Sequence, residues 1–242
     1  RILRSAVEAI YAGWWWLVLG IVAVVIWLPV TLVPMVSFCR CVVRLGIKLF
    51  VGLVGIQITI EGQANLPPGA KVLVSNHSSY LDGLILLAAL PGDYHFVAKK
   101  ELKNSIWTGP FLSHLGTKFV ERFDAQRGVG DLAELRDSIA IGDTLVFFPE
   151  GTFRRVSGLL PFRSGAFACA AQGGVALVPL ALMGTRHILR SESWFPRWGQ
   201  VQIKIDQPLE PSDSSWSGVL ELRDRTRERM LELSGEPDLV YE

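Results

Sequence analysis

Residues 71–90 read KVLVSNHSSYLDGLILLAAL, with His77 and Asp82 five positions apart. Histidine titrates near neutrality, and a carboxylate bonded to one ring nitrogen leaves the other available as a base. On one continuous helix, five residues turn through about 500°, so these side chains would diverge. They converge only across a turn, which Ser78 and Ser79 supply, with Ser79 as the N-cap of a helix expected from Tyr80. His77 then ends a strand and Asp82 reaches back from the first helical turn, much as aspartate orients and neutralises the imidazole of a Ser-His-Asp array. The same spacing also fits a plain capping box, in which Asp82 only accepts an orphan amide.

A second run, TLVFFPEGTFRR over residues 144–155, ends an apolar strand on Pro149, Glu150, Gly151 and Thr152. Ligand crevices of α/β sheets lie beyond the carboxyl ends of strands, so His77 and Glu150 are candidates to share one. Gly151 permits close backbone approach to a ligand. Arg154 and Arg155 carry forked donors that match a phosphate, although a surface turn with two solvated arginines would read the same way.

These residues need a layered scaffold to hold them. Strand patterns fall at 56–61, 72–75, 94–98, 118–120, 144–148, 175–182 and 201–205, and helical patterns at 81–90, 130–141 and 165–172. Strands alternating with helices predict an α/β domain with a mixed, largely parallel sheet flanked by helices. An amphipathic helix over 215–233 should stop near Gly235 and Pro237.

The chain ahead of this domain has another character. Trp14 to Val36 holds no charged residue, long enough to be a membrane span, and Trp14, Trp15 and Trp16 suit the headgroup layer at its start. Pro29 and Pro34 each remove a helical hydrogen bond, so a bent helix or shallow re-entrant hairpin is an alternative to a straight span. Arg40, Arg44 and Lys48 recur every fourth residue, which suggests a helix lying on the membrane with its cations toward anionic headgroups. The expected division is a membrane anchor over 1–55 and a second domain over 56–242. The basic residues after the apolar run place that domain on the cytoplasmic side of an inner membrane.

Composition narrows the classes. A net charge of +1 gives no field for nucleic acid, and three cysteines are too few for a disulfide framework or a four-ligand zinc site. A GVGDLA run at 128–133 fits a loose dinucleotide pattern but follows RFDAQR rather than a strand, so it reads as an exposed loop running into a helix. Without a GxSxG elbow, a serine hydrolase built on Ser75, Ser78 or Ser79 is disfavoured.

NHSSYLD followed by FPEGT resembles the glycerolipid (lysophospholipid) acyltransferase family. The likeness extends through residues 99–122, with Lys100, Glu101, Gly116 and Arg122, and through PFRSGAF at 161–167 and VALVPLAL at 175–182. The resemblance implies an enzyme with His77 and Asp82 as its catalytic pair. It implies substrate binding by Asn76, Lys100, Arg122, Glu150, Gly151, Thr152, Arg154 and Arg163. The implied reaction moves a fatty acyl group from acyl-CoA or acyl carrier protein to the free hydroxyl of a lysophospholipid, 1-acylglycerol-3-phosphate above all, giving phosphatidic acid. Another lysophospholipid or glycerol 3-phosphate is the alternative acceptor, and a non-catalytic lipid-binding protein is the alternative class. Membrane lipids are the expected surroundings, with no cofactor, no metal and no nucleic-acid partner. Two positions depart from the family's pattern: Phe153 stands where arginine commonly follows EGT, and Arg163 stands where lysine is frequent.

Overall fold

The computed structural model describes the backbone of residues 2–121 and 125–239 and the side chains of 5–121 and 130–239. The apolar start of the chain forms a long helix, α1 (Ile2–Leu32), which runs through Pro29, and a second helix, α2 (Val36–Leu53). They lie antiparallel: Trp14 donates to the Leu53 carbonyl at 3.1 Å, and Cys39 Sγ lies 3.6 Å from the carbonyl oxygen of Val30. Gly46 permits this close approach, because a Cβ there would run into the Ile26 side chain. The result is a hairpin of two helices, in which the apolar run is one arm, continuous through Pro29 and ending before Pro34, and the stretch with Arg40, Arg44 and Lys48 is the other.

Arg40 and Arg44 do not face headgroups. Arg40 is buried, donating to the Leu115 carbonyl at 3.0 Å and lying 2.9 Å from His95 Nδ1. Arg44 donates to the carbonyls of Leu87 at 3.0 Å and Gly92 at 2.8 Å. A spacing of four fixes a helix face but not what that face meets; here it meets backbone carbonyls at the end of α3 and in the loops, and only Lys48 of the three is exposed. The packing therefore crosses the boundary expected at residue 55, and Val43, Ile47 and Phe50 join the same core cluster as Leu73, Leu86 and Val146.

The rest is one seven-stranded sheet with the order β1-β7-β6-β2-β5-β3-β4. Its strands are β1 (Gln57–Glu61), β2 (Val72–Ser75), β3 (His95–Lys99), β4 (Lys118–Val120), β5 (Leu145–Phe147), β6 (Leu177–Met183) and β7 (Gln200–Ile205). Among the strand pairs of the described residues, β6–β7 alone is antiparallel. The central strands read as short apolar runs because both faces are covered: every residue of β2 and β5 is buried, whereas the edge strand β1 alternates. The hairpin and α3 (Asp82–Ala89) cover one face. Residues of α5 (Ala125–Ala140), α6 (Gly165–Gly173) and α8 (Trp216–Ser234) cover the other.

Three local expectations shift. Helix α3 starts at Asp82 rather than Tyr80; the Ser79 hydroxyl accepts from the Leu81 amide at 3.2 Å, as expected of a cap, and donates to the Leu189 carbonyl at 2.7 Å, but Tyr80 and Leu81 form a turn ahead of the helix. The GVGDLA run lies inside α5 and not in a loop. A helix not foreseen, α4 (Thr108–His114), carries Gly109 and Pro110 in its first turn, where a missing N–H is tolerated.

Candidate active site

Strands β2 and β5 are parallel neighbours, with Val74 opposite Phe147. Three residues beyond each lie His77 and Glu150, so the register alone brings them side by side at the carboxyl end of the sheet. The His77 amide donates to Glu150 Oε1 at 2.7 Å, and the Leu160 amide donates to Oε2 at 2.8 Å.

Asp82 is fully buried, and one of its oxygens does most of the bonding. Oδ2 accepts from His77 Nδ1 at 2.8 Å, from the Ser78 amide at 2.6 Å and from the Ser79 amide at 2.8 Å. The contact to the ring and the capping contacts to backbone amides are thus both present, on a single oxygen. The two amides hold the carboxylate still, and the carboxylate holds the ring. With Nδ1 donating to Asp82, Nε2 carries the lone pair and is the nitrogen able to accept a proton. The ring itself lies between Phe148, stacked at 4.3 Å between centroids, and Phe153 at 4.4 Å.

Ser75, Ser78 and Ser79 are buried and engaged elsewhere. Ser78 Oγ meets Thr185 Oγ1 at 3.1 Å, and Ser75 donates to the Asn76 carbonyl at 3.2 Å. None of them is on the wall of the cavity that holds His77, so none is placed as a nucleophile.

That cavity, of about 690 Å³, is lined by His77, Tyr80 and Phe153 together with Leu102, Phe111 and Leu115. Most of its wall is apolar, with Lys99, Glu101, Thr117, Thr152 and Arg163 as charged and polar points beside His77 and Tyr80. A second cavity of about 510 Å³ shares Val97, Phe148, Gly151 and Arg163 with it.

A dyad of this geometry facing an apolar cavity is the constellation the two sequence motifs foreshadow, and a family model described as Acyltransferase matches residues 57–183, about half of the chain. The chain belongs to the acyltransferase family.

Relatives of this chain agree with the acyltransferase assignment. The chain is similar to a 1-acyl-sn-glycerol-3-phosphate acyltransferase of Chlamydomonas reinhardtii, 36% identical over 66% of this chain and 48% of that protein. The chloroplastic enzyme LPAT1 of Arabidopsis thaliana is 35% identical over 64% of this chain and 44% of its own length. The human alpha enzyme is 31% identical over 74% of this chain and 64% of its own. The chain thus spans between about half and two thirds of these proteins. In fold it is similar to the crystal structure of the 1-acyl-sn-glycerophosphate (LPA) acyltransferase PlsC of Thermotoga maritima, with a TM-score of 0.72 and 22% identity, covering 95% of this chain and 98% of that one.

The family's motif residues divide by position. His77, Gly151, Thr152 and Arg163 line the cavity. Asn76 and Glu150 do not. Asn76 is buried and bonds both ways with the Leu182 backbone, at 2.9 and 2.7 Å, which ties the end of β2 to β6. Glu150 is a buried clamp beneath His77 rather than a wall residue, and burial pushes its carboxyl up to about 7 even though the His77 and Leu160 amides pull the other way. Lys100 is off the wall and Lys99 is on it; Arg154 is exposed and also off it. Arg122 lies outside the described residues. Sequence reasoning missed Phe148, Phe153, Tyr80 and the α4 wall, since apolar residues flanking a motif look the same whether they fill a core or line a cavity.

Proposed function

We propose that this acyltransferase moves a fatty acyl group from a thioester, acyl-CoA or acyl carrier protein, to the free hydroxyl of 1-acylglycerol-3-phosphate, giving phosphatidic acid. The observation that carries the reading is the His77–Asp82 pair, fixed by two backbone amides, beside a cavity apolar enough for an acyl chain. The acceptor hydroxyl gives its proton to His77 Nε2 as its oxygen attacks the thioester carbonyl. Asp82 balances the imidazolium. The tetrahedral adduct then collapses, the C–S bond breaks, and the imidazolium returns the proton to the departing thiolate. General-base catalysis of this kind contributes about 10²–10⁴-fold. Glu150 acts through His77 as a positioning residue, holding its backbone. In this reading Arg163 and Thr152, both on the cavity wall, meet the acceptor, and Lys99, also on the wall, takes the part expected of Lys100. The names of the relatives point to 1-acylglycerol-3-phosphate as acceptor. A panel of lysophospholipids and glycerol 3-phosphate, offered with labelled acyl-CoA and acyl carrier protein, tests this; fastest turnover on an acceptor without a phosphomonoester would overturn the acceptor assignment.

The hairpin supports attachment to one membrane surface. Exposed Ile10, Leu17, Ile21, Val24, Leu28 and Leu32 form an apolar stripe on α1, while Tyr11, Trp15, Val18, Val22, Ile26 and Val30 pack inward. A helix apolar on its outer face as well calls for lipid there. Tyr11 stacks on Trp198 and the Val30 carbonyl accepts from His114 Nδ1 at 2.6 Å, so α1 stays beside the α/β domain for 19 residues, about 28 Å. A helix alongside its domain for that distance lies within one leaflet rather than crossing both. The cytoplasmic face is the proposed side, where thioester donors are made; labelling of exposed Lys48→Cys in sealed inverted vesicles checks it.

A further inference from the structure

Two loops of the α/β domain touch α1 far from each other, and each leaves aromatic surface uncovered. In the loop between α7 (Thr185–Ile188) and β7, the Trp194 carbonyl accepts from Trp16 Nε1 at 2.8 Å. Trp198 of the same loop stacks on Tyr11 at 3.8 Å. In the loop before α4, the Trp107 carbonyl accepts from Trp27 Nε1 at 3.4 Å, with the rings 5.8 Å apart. Despite these contacts, Trp194 is 72% exposed, Trp107 69% and Ile106 79%. Isolated surface tryptophans would need no explanation, but these lie along one flank of the exposed apolar stripe of α1, where Trp16 and Trp27 share a helical face, and they widen it.

The cavity wall reaches both loops. Tyr80, on the wall, is parallel to Trp194 at 6.4 Å, and the carbonyl of wall residue Leu102 accepts from Thr108 Oγ1, next to Trp107, at 2.9 Å. Trp16 and Trp27 are 11 residues apart on α1, which sets the loops roughly 16 Å apart along it. Cations accompany the aromatics: Lys99 and Lys103 are exposed beside Ile106, and Arg197 is exposed between Trp194 and Trp198. Glu101 and Glu192 are the acids of these segments, so positive charge prevails. Indole rings favour the headgroup layer, and basic side chains beside them favour anionic lipid.

We infer that the loops at 103–107 and 190–198 are two docking feet that seat the cavity mouth on an anionic bilayer surface. The inference rests on the reading that the hairpin is membrane-attached, and it adds that the α/β domain itself touches lipid through both loops. An acceptor chain leaving the bilayer then meets Tyr80 and Phe153 without crossing water.

The test uses the full chain in a Cys41→Ser background, with a nitroxide placed in turn at Ile106→Cys, Phe195→Cys, Ile21→Cys on the hairpin stripe, and Glu228→Cys on the opposite layer. Accessibility to an aqueous nickel complex and to oxygen is read before and after adding vesicles of phosphatidylcholine with phosphatidylglycerol. The expected result is loss of nickel access and gain of oxygen access at 21, 106 and 195, and no change at 228. Immersion at 21 with 106 and 195 still aqueous overturns the docking feet and leaves the hairpin reading intact. An aqueous label at 21 overturns both. Protection at 106 or 195 that grows with protein concentration and ignores vesicles assigns the surface to a second copy and also overturns the inference. A Lys103→Glu, Arg197→Glu variant should partition several-fold less onto the anionic vesicles and unchanged onto phosphatidylcholine alone; equal partition of parent and variant onto both overturns the choice of an anionic surface.

Discussion

Replacing Asp82 with Asn separates holding the imidazole from neutralising it. In the protein, Oδ2 takes three donors between 2.6 and 2.8 Å, and Oδ1 has no hydrogen-bond partner among the described residues. An asparagine can keep its oxygen at the Oδ2 position and still orient His77, placing its NH₂ where Oδ1 was. Two buried donors are then unpaired, which costs stability of about 1–3 kcal/mol. The larger effect is on the reaction. A carboxylate about 4 Å from an imidazolium, at an effective dielectric near 20, is worth about 4 kcal/mol. That converts to roughly 10³ in rate, and the dipole of the amide recovers part of it, so kcat should fall about 10²–10³-fold. Asp82 is not on the cavity wall, so KM for the acceptor should stay within about threefold. The assay is thioester consumption in detergent micelles at saturating acceptor, with circular dichroism and thermal melting on the same sample. A folded Asp82→Asn protein with kcat within about threefold of the parent would refute the idea that an imidazolium forms here.

Glu150 makes stability depend on pH. Its carboxyl is raised from 4.5 to about 7, chiefly by burial, so the folded state holds a proton that the unfolded state has released. The stabilising effect is complete below pH 4.5 and is lost as pH rises through about 7, a change of about 3 kcal/mol. Urea midpoints at pH 5 and pH 8 should show that slope in the parent and a flatter one in Glu150→Gln. Arg163→Ala should raise KM for a phosphate-bearing acceptor about 10–100-fold with little change in kcat, the effect of one charge-assisted hydrogen bond, measured by varying acceptor at fixed thioester. Arg40→Ala leaves the Leu115 carbonyl without its donor and should lower the melting temperature by roughly 6–12 °C, for about 3 kcal/mol lost.

The parts of the site that follow from local chain geometry were legible in the sequence. His77 and Asp82 could meet only across a strand–turn–helix, and they do. The adjacency of Glu150 followed from parallel strands ending at the same level. What Glu150 bonds to was not legible, since a carboxylate after an apolar strand reads alike whether it faces ligand or backbone amides, and here the Leu160 amide decides. Asn76 hides its role for the same reason, its partner being Leu182 on a distant strand. Arg40 and Arg44 were misread because the carbonyls that bind them belong to Leu115, Leu87 and Gly92, which only the tertiary fold brings near. Gly116 shows the same dependence. Its φ of 77° already favours glycine, and a Cβ would in addition stand 2.9 Å from both Arg40 and His95, two residues remote in the chain.

The most direct measurement is single-turnover acyl transfer from labelled thioester to 1-acylglycerol-3-phosphate by purified His77→Ala protein whose melting profile matches that of the parent. With the general base gone, the rate constant should drop at least about 10²-fold, and as much as about 10⁴-fold. A folded variant that still transfers acyl groups at the parent rate would show that the proton leaves by another route.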